Sequence, residues 1–198
     1  LNTNGSGTVR WEPGEVARGV AVFREELRAR GLDNAISLIA PETVMVARPA
    51  PEHAAKYDYQ EGDDFTYLRA ITTDTTALAS LHALGLQSYG KGLTPQIRDL
   101  VRQTGKDLWI TLAATDAIGD DPEGADQCVA PVRTAICLSD LNLGASRWFY
   151  WSWWQLYNFS KSDSGTVDSL CFSPTYFFLR NFSSQIDSGA WIHPDRKS

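Results

Sequence analysis

An α/β fold built of parallel βα units is predicted for this chain. Two observations carry that expectation: helical periodicities and short apolar runs take turns along the sequence, and the apolar runs are near-continuous, as in strands buried on both faces. The 198 residues suit one domain at roughly 100 to 200 residues each. Apolar types at 43% and charged types at 21% are the proportions of a globular chain, which excludes disorder, collagen and coiled coil.

The first helix is read from Pro13, where a first turn tolerates proline, through Val16, Val20, Phe23 and Leu27 at helical spacing, to Gly31 as a stop. The run Ala35 to Ala40, bounded by Asn34 and Pro41, reads as the first strand, with Glu42 and Thr43 at its C-terminal end. A polar segment from Thr43 to Asp63, holding His53, is too long for an ordinary βα connection. A helix over 64–84 follows, weakened by Thr72, Thr73, Thr75 and Thr76, then a strand from Leu84 to Tyr89. Thr94-Pro95 is a cap followed by proline at the first helical position, and that helix runs to Gly105. Strand Asp107 to Leu112 leads to an irregular loop with Asp116, Asp120, Asp121 and Glu123. A helix from Ala125 to Leu141, with Pro131 as a kink, gives way to strand Ala145 to Trp154. The last helix starts at Ser173-Pro174, and Gly189 to Ile192 closes the chain in an extended piece. This makes about four strands and five helices, half of an eight-stranded βα barrel, with residues 1–198 forming one partial barrel domain.

Charge and composition exclude several partners. The net charge of -6 and pI near 5.0 come with no cluster of Lys and Arg able to neutralise a run of phosphates, which argues against nucleic acid and against anionic membranes. No run approaches the length of a membrane span, and the start, Leu1-Asn2-Thr3-Asn4, is that of a processed, truncated or engineered chain. Cys128, Cys137 and Cys171 lack metal-ligand spacing and the three His lie far apart, so neither a metal nor another cofactor is expected. The cysteines allow one disulfide and a free thiol, or three buried thiols. Sequons at Asn4, Asn158 and Asn181 point toward a secreted, extracellular chain.

In a βα barrel the chemistry gathers at the C-terminal ends of the strands: here Glu42, Gln87 to Tyr89, Thr111 to Asp116, and Trp151 to Trp154. Four of the seven Trp stand in the run Trp148-Phe149-Tyr150-Trp151-Ser152-Trp153-Trp154. Flat rings with one polar handle suit the apolar faces and hydroxyl rims of sugars, and by alternation Trp151 and Trp153 would share one face. The same run also reads as a buried strand with its rings in the core.

Four segments, in order, carry a resemblance: Ala40-Pro41-Glu42; Leu86-Gln87-Ser88-Tyr89-Gly90; Leu108-Trp109-Ile110-Thr111; and Gly144-Ala145-Ser146 through Tyr150-Trp151-Ser152-Trp153, followed by the helix and tail from Tyr176 to Gly189. Together they resemble the C-terminal half of a clan A glycoside hydrolase barrel, most similar to glycoside hydrolase family 30 and its relatives. The resemblance implies hydrolysis of a β-linked oligosaccharide or polysaccharide, with Gln87, Tyr89, Trp109, Trp151 and Trp153 as substrate contacts. It also implies two catalytic carboxylates, and neither stands where the family pattern puts it. Leu112 occupies the nucleophile position after Trp109-Ile110-Thr111, and Thr3 the acid/base position. Gln87 replaces a family His, keeping hydrogen bonding without a titratable group. Glu42 is the surviving candidate for a catalytic group, or else a cap or ion pair at a strand end. The acids of the 116–123 loop offer a displaced carboxylate, or merely a solvated loop. Two further readings follow: a sugar-binding pseudoenzyme, and a half barrel that pairs with a second copy or with an N-terminal half.

Overall fold

The computed structural model describes residues 11–44, 65–89, 93–114, 125–150, 157–161 and 167–186. Helix α1 spans Pro13–Ala29. The Glu15 carboxylate accepts the Glu12 N–H at 2.9 Å, and Pro13 opens the helix. At the other end Gly31 turns left-handed (φ 68°) while its N–H reaches the Arg28 carbonyl and that of Leu32 reaches Leu27, the paired closure that favours glycine. Val16, Ala17 and Leu27 are buried, but Phe23, expected on the same stripe, is 53% exposed.

Arg24 takes the inward direction instead. Its guanidinium donates to the Ser80 carbonyl at 3.0 and 2.7 Å, to Asp33 at 3.0 Å and to Ile36 at 3.3 Å. Those bonds explain a correction to the first strand. Residues 35–38 belong to no ladder, because Ala35 and Ile36 donate back to Leu32 and the carbonyls of Asp33 and Ile36 are held by Arg24. Strand β1 is Ile39–Val44. It lies at the sheet edge among the described residues, where Pro41 can stand without a donor.

The expected helix over 64–84 is two helices, α2 (Thr66–Thr73) and α3 (Thr75–Ser80). Asp74 stops one and caps the other, accepting the Thr76 and Ala77 N–H groups at 2.9 Å each. Thr73 donates back to the Arg69 carbonyl at 2.8 Å, as threonine does where a helix is failing. Strand β2 is Ala83–Tyr89, α4 is Pro95–Arg102 with Thr94 as its cap, and β3 is Asp107–Ala114. Helix α5 runs unbroken through Pro131 as Ala125–Asn142, and β4 is Ala145–Tyr150. An antiparallel hairpin, β5 (Tyr157–Lys161) and β6 (Val167–Phe172), adds two strands beyond the expected four. Ser173 caps α6, Pro174–Ser183. Residues 189–192 lie outside the described residues.

The sheet order is β1-β2-β3-β4, parallel throughout. Leu84, Leu86, Leu108 and Ile110 point to one face and form the core with Leu68, Ile71, Ile97 and Val101 from the helices. Trp148 packs against this core as well. Gly85 and Gln87 of β2 and Trp109 of β3 point to the opposite, inner face.

One carboxyl is buried on the helical side. Asp140 of α5 accepts the Leu93 N–H at 2.6 Å and the Trp148 indole N–H at 3.1 Å, tying α5 to β4 and to the chain entering α4. Burial pushes its pKa up to about 6, against the pull of those two donors. The folded chain therefore holds a proton on Asp140 where the unfolded chain has lost it. That contribution is complete below about pH 4 and is lost as pH rises through about 6. Wild type is expected to lose about 2 kcal/mol relative to Asp140→Asn between pH 4 and pH 7. Urea titrations of both proteins at the two pH values check this, and a pH-independent difference would refute it. Cys137, beside Asp140, is buried and free, its thiol pushed up to about 12 by burial and by that carboxylate. The side chains of Cys128 and Cys171 lie outside what is described.

Candidate functional site

The inner face is organised by two bulges at one level, on either side of β2. On β1 the register passes from Pro41 opposite Gly85 to Thr43 opposite Leu86, leaving Glu42 as the extra residue. On β3 it passes from Ile110 opposite Leu86 to Leu112 opposite Gln87, leaving Thr111 extra. Bulges re-aim side chains, and both of these turn their extra residue onto the inner face. Glu42 has φ 60°, a left-handed backbone costly for any residue with a Cβ.

The two bulged side chains meet across β2. The Thr111 hydroxyl donates to Glu42 Oε2 at 2.7 Å. Glu42 Oε1 is buried and has no hydrogen-bond partner. It rests over Gly85: a Cβ at that position would collide with Oε1, with Ile39 Cγ2 at 2.5 Å and with Thr111 Cγ2 at 3.2 Å. Glycine is needed there because a carboxylate lies across the strand.

Below this level is an aromatic and cationic group. The Arg147 guanidinium lies 4.6 Å from the centre of the Trp109 ring, which meets His82 edge-on at 5.7 Å and Phe149 at 6.1 Å. Trp109 Nε1 is buried and without a partner.

The structure thus brings Glu42 and Trp109 onto the inner face, with Gly85 registered opposite both Pro41 and Trp109. Gln87 and Leu112 are half-buried and face each other one step nearer the C-terminal ends of the strands. Tyr89 ends β2 opposite Ala114, its side chain outside what is described. Thr3, His53, Trp151, Trp153 and the acids of 116–123 lie outside the described residues. Glu42 is accordingly an interior member of β1 rather than a residue beyond its end. Sequence reasoning placed Thr111 only within the strand end Thr111 to Asp116, without its link to Glu42, and gave no role to Gly85, Arg147 or Asp140. An isolated glycine inside an apolar strand is the signal that marks Gly85.

The fold has solved counterparts. An endoxylanase of glycoside hydrolase family 30 from Clostridium papyrosolvens C71 superposes with a TM-score of 0.54 at 18% identity, over 96% of this chain and 41% of that one. In fold, the chain is similar to part of a family 30 glycoside hydrolase. A family 30 subfamily 8 xylanase from Clostridium acetobutylicum gives a TM-score of 0.52 at 19% identity, over 89% of this chain and 37% of the other. The chain thus spans about two fifths of the length of these glycoside hydrolases. No protein-family model matches the chain, and no curated protein matches it. The glycoside hydrolase-like fold agrees with the parallel α/β half expected from the sequence. Among the described residues no helix is long and apolar enough to cross a membrane, and no three His, Cys, Asp or Glu side chains gather as metal ligands would.

Proposed function

We propose that the chain is part of a carbohydrate-active protein that binds a β-linked glycan at the C-terminal ends of β1 to β4, with Gln87 and Tyr89 on β2 and Trp151 and Trp153 beyond β4 as contacts. The observation that carries this reading is the fold: nearly the whole chain follows two proteins that are xylanases, which makes xylo-oligosaccharides the first ligands to try. Hydrolysis is the second reading, favoured by Glu42, a carboxylate held in a strained backbone with one oxygen uncommitted. Retaining hydrolysis needs two carboxyl groups about 5 to 5.5 Å apart. The residues registered around Glu42 are Gly85, Leu86, Gln87, Ile110, Thr111 and Leu112, none of them acidic. Glu42 alone supports binding better than turnover, and a second carboxylate would come from residues not described.

Isothermal titration with β-linked xylo-, gluco- and galacto-oligosaccharides tests both readings in one trace. Saturable heat with no continuing heat is the expected result. Continuing heat that vanishes in Glu42→Gln would establish hydrolysis instead, and silence with every sugar would remove the glycan from consideration.

A further inference from the structure

Helix α6 carries an aromatic patch at the surface, with Phe177 47% and Phe178 43% exposed. Phe177 is braced from the side: it meets Tyr176 edge-on at 5.4 Å and Phe172, at the end of β6, at 6.1 Å, while Phe172 and Tyr176 stack at 3.9 Å. Asn181 follows Phe177 by four residues and Phe178 by three, which puts it beside both rings on the helix surface. Helical side chains lean toward the N-terminus, so a group carried by Asn181 lies over the turn that holds the two rings. Asn181 is itself exposed, and it opens the sequon Asn181-Phe182-Ser183. Three of the six asparagines stand in sequons, where the share of Ser and Thr in the chain gives about one by chance.

We propose that Asn181 is an N-glycosylation site and that the first N-acetylglucosamine attached there packs on Phe177 and Phe178, so that the chain's own sugar covers this patch. The donor is a polyprenyl-pyrophosphate-linked oligosaccharide, met in a secretory compartment. Asn181 Nδ2 forms a bond to the anomeric carbon, the bond from that carbon to the pyrophosphate oxygen breaks, the lipid pyrophosphate leaves, and Nδ2 gives up one proton to the transferase. Transfer precedes the winding of α6, because in the helix the Ser183 hydroxyl of the sequon is turned back to the Arg180 carbonyl at 3.2 Å. The fold tolerates the product, since what α6 takes from Asn181 is its carbonyl, which accepts the Ser184 hydroxyl at 2.9 Å. A sugar suits the patch because its ring has an apolar face for the phenyl groups and hydroxyls for the water outside. The site does not depend on glycan binding at the strand ends.

Secretion of the full chain from a glycosylating eukaryotic host reads the occupancy: enzymatic release of N-glycans in heavy-oxygen water marks each modified asparagine for peptide mass spectrometry. A modified Asn181 is expected, and an unmodified one in the secreted, folded chain would overturn the site. Wild type and Asn181→Gln from the same host, both trimmed to one N-acetylglucosamine per site, then isolate the effect of this sugar. It is expected to raise Tm by about 2 to 4 °C, the shift that roughly a fivefold gain in the folding constant produces at this chain length. With Phe177→Ser and Phe178→Ser together, that gain should fall by more than half. Equal Tm with and without the sugar, or a gain that survives the loss of both rings, would overturn the packing. Ser183→Ala also removes the sequon and replaces Asn181→Gln should that variant not fold, and either ring variant alone replaces the pair.

Discussion

Gly85→Val is expected to destabilise the protein by about 3 kcal/mol, the cost of forcing atoms into a filled space, and to abolish any binding that depends on Glu42. A single added methyl already meets Glu42 Oε1, Ile39 Cγ2 and Thr111 Cγ2, three groups on the two strands flanking β2. Ile39 can turn its methyl away. The carboxylate has less room, because Oε2 is held by Thr111 and the left-handed backbone at residue 42 fixes its direction. The larger side chain would therefore expel the carboxylate and leave the Thr111 hydroxyl with only its 3.2 Å bond to the Leu86 carbonyl. Chemical denaturation of wild type, Gly85→Val, Glu42→Ala and the double variant measures the coupling. If the collision is the cause, the double variant loses less than the sum of the single losses by about 1 kcal/mol. Strict additivity would mean that the glycine serves something other than the carboxylate.

Arg24→Met is expected to cost about 2 to 4 kcal/mol, since it keeps the stem but removes a charged donor from several partly buried carbonyls. Those carbonyls, on Asp33, Ile36 and Ser80, come from the exit of α1 and the last turn of α3, so one side chain joins two connections leading into neighbouring strands. Arg24→Lys keeps the charge but not the planar fork, and should recover less than half of the loss. Hydrogen exchange should localise the damage, with amides of residues 32–38 opening faster while those of β2 and β3 hold. Uniform acceleration across the sheet would show that Arg24 supports the whole fold rather than these two connections.

The parts of this molecule that could be read in advance are those whose signals are local. Thr94-Pro95, Ser173-Pro174 and Pro13 each place a cap or a first-turn proline, and the helices begin at those prolines. The four parallel strands announced themselves as short apolar runs. The limits failed where a partner distant in sequence decided the outcome. β1 starts four residues late because Arg24 occupies carbonyls that a ladder would need. The helix over 64–84 divides because the Asp74 side chain prefers two amides to a helical position. The β5–β6 hairpin went unread because its alternation sits beside an aromatic run that looked like one long strand. Within the site, Glu42 was visible as a lone carboxylate after Pro41. Its link to Thr111, 69 residues away, depends on two register shifts that leave no trace in spacing.

Those shifts bear on how such a sheet can change over time. With Glu42 removed, β1 still alternates from Ile39 to Val44 against the same partners on β2, and with Thr111 removed, β3 does the same from Trp109 to Ala114. Each residue is an insertion that leaves the pairing of the surrounding strand in step on either side. A lineage could gain or lose this pair by single-codon indels without turning one core side chain outward, which separates the evolution of the pair from the evolution of the scaffold beneath it.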